Sequence, residues 1–247
     1  MSTATQAKTR AVKRAPSKTE TLLALKTVSK DMRAYGGFVW PKRGSVEAPD
    51  WDQRPVCGGG LHALGWGIGS GGLLNWEEDA RWLIVEVDQK KGVVDLEGKI
   101  KFRAGKVIHC GDRKSATDFL FKHKAGLQGV VGAFVVASDH ESATAGDYGT
   151  ATAGDYGTAT AGYRGTATAG DYGTATAGYR GTATAGDYGT ATAGEGGTAT
   201  AGEGGSLIIR WWDGSRYRFS VAYINENGVE PNVKYRLTDK GVFIKAD

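Results

Sequence analysis

Two cysteines, Cys57 and Cys110, are all that this 247-residue chain contains, far too few for a disulfide-stapled fold. No apolar run is long enough to span a bilayer, and no signal-peptide core stands near the start, so no membrane partner is expected. The charge excess is small: 31 basic against 27 acidic side chains leave +4, which alone implies no polyanionic partner. Residues 142–205 lack something more telling, for they contain no large aliphatic side chain at all. A core built there has to be made of methyl groups.

What fills that stretch is a repeat. It opens as SATAGDYG and continues as seven TATAG-x-x-G octads without insertion. A fixed short period marks a solenoid, in which each unit buries its face only against its neighbours. Thr-Ala-Thr-Ala suits a short strand, and the paired glycines are expected to supply the positive φ of a tight turn. Alternation puts two Ala on one face and two Thr on the other. We place Ala inward, because buried threonine hydroxyls would each need a partner.

The turn residues set the coil length. Every second octad gives one uniform column, Asp155-Tyr156, Asp171-Tyr172, Asp187-Tyr188 and Glu203-Gly204. The other column is Asp147-Tyr148, Tyr163-Arg164, Tyr179-Arg180 and Glu195-Gly196. The period is therefore 16 residues, two strands and two turns per coil, giving four coils. At about 4.8 Å per coil, Tyr156, Tyr172 and Tyr188 form a ladder on one edge, with Arg164 and Arg180 on the other. The Asp155, Asp171 and Asp187 column repels itself unless solvent, cations or turn amides relieve it.

The flanks divide in order. Residues 1–20 read as a disordered basic arm, a solubilising tail or a phosphate contact for nucleic acid. Residues 21–125 read as a small α+β domain. Within it, 19–32 suits a short helix or an entry strand, and 112–124 a helix capped by Asp112. Residues 126–141 read as an N-terminal capping strand region, since 134–141 aligns with one octad. Residues 206–247 read as a C-terminal β-meander cap: Tyr217, Phe219, Val221 and Tyr223 alternate with Arg216 and Arg218 after the Asp213-Gly214 hairpin signal. The fold class expected is mainly β, a two-sided β-solenoid between these two flanking units.

This layout resembles uncharacterised phage and actinobacterial proteins in which a small domain precedes GDYGTATAG-type repeats. The segments that carry the resemblance are GFVWP (37–41), CGGGLH (57–62), LLNWEEDARWLIVEV (73–87), VIHCGDRKSATDFL (107–120), the repeat and IIRWWDGSRYR (208–218). It implies a phage or prophage origin and a β-solenoid, and it transfers no catalytic residue.

Cys57, His62, His109 and Cys110 are metal-ligand types, but their spacing is not that of a zinc knuckle, and no metal or cofactor is expected. The glycine-rich run 58–72 lacks the Lys-Ser/Thr of a phosphate loop. The candidate binding surface comprises the Tyr156, Tyr172 and Tyr188 ladder with Asp155, Asp171 and Asp187, the pair Arg164 and Arg180, and the cluster Arg210, Trp211, Trp212, Arg216 and Arg218. The last mixes cations with aromatics as nucleic-acid surfaces do. The expected function is a non-enzymatic, phage-type binding or structural protein, cytoplasmic or virion-associated, with a protein or small-molecule partner or a second copy of itself. Three alternatives stand beside it: a ligand-sequestering protein, an ice-binding Thr-x-Thr solenoid, and an ADP-ribosyltransferase-like enzyme within 21–125.

Overall fold

A computed structural model describes residues 21–247; the basic arm expected at 1–20, with its nucleic-acid contact, lies outside the described residues. The N-terminal body is a seven-stranded antiparallel sheet. Its strands are β1 (Thr21–Val28), β2 (Gly44–Glu47), β3 (Leu61–Gly65), β4 (Arg81–Asp88), β5 (Val93–Asp95), β6 (Ile100–Phe102) and β7 (Ala104–Gly111), in the order β2-β7-β4-β1-β3-β6-β5. TLLALKTV is a strand rather than a helix because it lies at the centre, buried on both faces and paired with β4 along its whole length. One face carries Val46 and Phe102 and packs against Trp40. The other packs on α1 (Arg113–His123) through Ala116 and Leu120. Asp112 caps α1, its carboxylate accepting the Ser115 N–H at 2.7 Å.

The solenoid follows. One parallel sheet is made of β8 (Phe134–Val136), β10 (Thr150–Ala153), β12 (Thr166–Ala169), β14 (Thr182–Ala185) and β16 (Thr198–Thr200). The facing sheet is made of β9 (Ser142–Thr144), β11 (Thr158–Ala161), β13 (Thr174–Ala177), β15 (Thr190–Ala193) and β17 (Ser206–Trp212). Every parallel pairing joins residue i to i+16, so the coil is 16 residues. The count is five coils, not four, because the non-repeat strands β8 and β17 continue the same register at the two ends. The repeat alanines are inward, from 0 to 3% exposed, and this methyl core runs into Leu207, Ile209, Ile224 and Tyr235 at the far end. Large side chains sit where a neighbouring coil is absent.

The glycine expectation needs correction. Positive φ falls on the second residue of each turn pair: His140, Tyr148, Tyr156, Arg164, Tyr172, Arg180 and Tyr188, then Gly196 and Gly204. The glycines flanking each pair are needed for room instead. A Cβ on Gly173, for instance, would lie 2.8 Å from both the Ala169 methyl and the Gly170 carbonyl.

β17 turns at Asp213-Gly214 into the antiparallel β18 (Tyr217–Tyr223), while β19 (Tyr235–Leu237) and β20 (Phe243–Lys245) extend the opposite sheet. The alternating apolar face of β18 does not close the solenoid core. Tyr217, Phe219, Val221 and Tyr223 all face solvent, more than half exposed. Ala222 packs inward, because the register pairs it with Leu207.

Candidate functional site

Both broad faces of the solenoid are threonine arrays. On the first sheet Thr150, Thr152, Thr166, Thr168, Thr182, Thr184, Thr198 and Thr200 stand in two straight files, since Thr pairs with Thr in every coil. The second carries Ser142 and Thr144, then Thr158, Thr160, Thr174, Thr176, Thr190 and Thr192. Neighbouring hydroxyls repeat at about 4.8 Å between coils and about 7 Å along a strand. Among the described residues, hydroxyls of a face bond one another only at Thr198–Thr182 (3.3 Å) and Thr190–Ser206 (3.1 Å). The remainder are offered to solvent, each beside its own methyl group. No charge interrupts either array, because every charged residue of the repeat lies in a turn.

The predicted tyrosine ladder forms one edge. Tyr156 stacks on Tyr172 at 4.9 Å and Tyr172 on Tyr188 at 5.0 Å, with His140 adding a rung at 4.9 Å from Tyr156. The aspartate column beside it is relieved by amides. Asp155 accepts the Asp171 N–H at 2.9 Å, Asp171 accepts that of Asp187 at 2.8 Å, and Asp187 accepts that of Glu203 at 2.8 Å. Each carboxylate thus clamps the next coil, with Asp139 beginning the series on Asp155. Sequence reasoning missed Asp139 and His140 as members of these columns; the octad alignment of 134–141 held the signal.

On the opposite edge Tyr163 and Tyr179 stack at 5.7 Å, and Arg164 and Arg180 lie against those rings at 5.5 and 5.2 Å. The cations are therefore spread over aromatic faces. At the C-terminal end Arg210 lies 4.4 Å from the Tyr217 ring, Arg218 is paired with Asp213, and Trp212 is exposed beside Tyr217. Trp211 turns to the inner side, where Gly241 leaves space for its indole. Arg216 is exposed. The structure keeps this cluster together but separates it from both ladders.

The four metal-ligand types divide. Cys57 and His62 line a cavity in the N-terminal body, whereas His109 and Cys110 lie on β7, where His109 Nε2 is 3.1 Å from the Ser115 hydroxyl. Burial lowers the His109 imidazole pKa. Among the described residues no three His, Cys, Asp or Glu side chains converge on one point. No helix among them is long and apolar enough to cross a membrane.

These features define a class: a short β-solenoid whose flat faces present ordered, uncharged hydroxyl and methyl groups, fused to a small mixed domain. Comparison with known proteins gives two further findings. Residues 22–120 match the model of a domain of unknown function, DUF7666. The chain is also 39% identical over 111 residues to the ice nucleation protein InaU of Pantoea ananas. It is 36% identical over 105 residues to an ice nucleation protein of Pseudomonas syringae, and 34% over 133 residues to one of Pseudomonas fluorescens. Those alignments take in 44, 42 and 51% of this chain but only 10, 9 and 11% of the relatives, so the chain spans about a tenth of their length. No solved structure matches the chain. The expectation of a phage-type structural protein is thereby overturned, and with it the cytoplasmic or virion-associated location, since the relatives are bacterial ice nucleation proteins.

Proposed function

We propose that the solenoid is an ice-binding surface. The observation that carries this reading is the unbroken register of Thr-x-Thr files on two flat, charge-free sheets. Ice is an ordered array of hydrogen-bonding groups, and a ligand of that kind is bound best by an array already held in place. Here the ordering entropy of the hydroxyls is lost on folding rather than on binding. The methyls between them shed loosely held water, while the hydroxyls anchor the water that stays. The likeness to ice nucleation proteins supports this assignment over a ligand-sequestering protein.

Size decides which ice activity is expected. Four threonine coils span only about 14 Å by about 7 Å per face. A template stabilises an ice embryo in proportion to the area it covers, so this array adsorbs to existing crystals and does not start freezing at mild supercooling. On this reading the chain is not an enzyme, and its partner is frozen water. The test is thermal hysteresis of the full chain, with T168Y/T184Y disrupting one face and T160Y/T176Y the other. Hysteresis in the parent, lost in at least one pair while circular dichroism stays unchanged, supports ice binding. A parent with no hysteresis and no effect on ice recrystallisation overturns it.

A further inference from the structure

The N-terminal body contains a cavity of about 870 Å³, within the range of small-molecule sites. It exists because the sheet opens. The ladder between β1 and β3 is confined to Ala24–Gly65 and Leu25–Leu64, so Lys26 and the first half of β3 flank a gap. The glycine-rich loop before β3 walls one side. Lys101, fully buried, holds that loop by donating to the carbonyls of Arg54, Val56 and Gly58. Its three donors are used within the protein.

The other cations of the cavity lack an anion, although Lys26 Nζ lies over the Trp40 ring at 5.9 Å. Lys26 and Lys99 both line the cavity, and among the described residues neither has an ion-pair partner. His62 also lines it, its Nε2 buried without a hydrogen-bond partner. A buried nitrogen without a partner, as at His62, costs free energy that a ligand would recover, and two half-buried ammonium groups beside it favour an anion there. Burial and the neighbouring Lys99 charge lower Lys26 to about 8, which is the cost of an ammonium held without an anion. Tyr35, Phe38 and Trp40 line an aromatic side, Phe38 and Trp40 meeting edge to face at 86°, with Leu73 and Leu74 lining the same space.

We propose that this cavity binds a small organic anion, a phosphate or carboxylate carried on a planar or apolar body, with Lys26, Lys99 and His62 at its charged end. The site is separate from the threonine faces, so the reading holds whether or not the solenoid binds ice.

The experiment is isothermal titration calorimetry of the full chain with adenosine monophosphate, benzoate and inorganic phosphate. Saturable one-to-one binding of adenosine monophosphate or benzoate is expected, with inorganic phosphate at least tenfold weaker for want of a planar body. K26M and K99M should each weaken binding at least tenfold, whereas K122M, an exposed lysine on α1, should not. Melting curves confirm that each variant is folded. No binding of either organic anion at millimolar concentration overturns the proposal, as does equal binding by the parent, K26M and K99M.

Discussion

Trp76 stacks on Tyr148 with ring centroids 4.2 Å apart and planes inclined by 24°, joining the N-terminal body to the first turn of the repeat. The contact is reinforced beside it. Trp76 donates through Nε1 to the Gly71 carbonyl at 2.8 Å, and Gly71 donates its N–H to the Asp147 carboxylate at 3.0 Å. The other oxygen of Asp147 accepts the Tyr163 N–H, so one carboxylate ties the body to two coils. The first coil is thus covered by a folded domain rather than left open, as a solenoid end requires.

Trp76→Ala should therefore uncouple the two units. The loss is expected to be about 3 kcal/mol, from the removed indole and its stacking. Calorimetry should show one cooperative transition in the parent and two resolved transitions in the variant. A single transition shifted uniformly would mean that the units do not unfold independently.

The aspartate clamps should act through hydrogen bonding more than through charge. Asp171→Ala strands the Asp187 N–H, costing about 1 kcal/mol at this exposed edge. Asp171→Asn keeps an acceptor oxygen and should cost less than half as much. Chemical denaturation of the two variants separates these contributions; equal losses would assign the effect to charge.

Glycine substitutions should sort by position, not by φ alone. Gly173→Ala has an ordinary backbone but no room, and we expect a loss of about 2–4 kcal/mol as the coils are forced apart. Gly196→Asn, at φ +69° where a Cβ would meet only the flexible Arg180 side chain at 3.2 Å, should stay within about 1 kcal/mol of the parent, because Asn tolerates the left-handed region. Melting temperatures decide it, and the reverse order would refute the packing explanation.

Lys26 should leave a mark on pH dependence. Its pKa is lowered from 10.5 to about 8 in the folded chain, so between those values the unfolded chain holds more protons. Stability from this group therefore rises with pH across that window, and the full penalty is present below about 8. The groups sharing its cavity are Lys99, His62, Asp50, Cys57 and Tyr35. Lys26→Met removes the penalty, so the ligand-free variant should be more stable than the parent at pH 7. That advantage should shrink by pH 10, as measured by urea unfolding at both pH values. A constant difference would show that burial is not what Lys26 feels.

Much of the solenoid was legible in the chain itself. The 16-residue coil followed from the Asp-Tyr and Tyr-Arg columns, and inward alanine from the cost of burying hydroxyls. The tyrosine ladder then followed, because strand stacking leaves equivalent turns only one coil spacing apart. The left-handed positions were not legible. Tyr156 and Arg164 carry the positive φ while neighbouring glycines do not, since close approach between coils, invisible in sequence, claims the glycines for space. Which face of β18 meets the core was not legible for a related reason. Alternation shows that Phe219 and Val221 share a side, but not which side meets the core.

The sequence by itself determined the repeat architecture, its period and the chemistry of its two faces, because an unbroken octad leaves one register open to the backbone. Only the tertiary structure decided what the unrepeated residues do. The opening between β1 and β3, the half-buried Lys26 beside it and the Trp76–Tyr148 joint depend on segments distant in the chain meeting in space. No local pattern encodes such meetings, for their energy arises only once the sheet and the first coil are both in place.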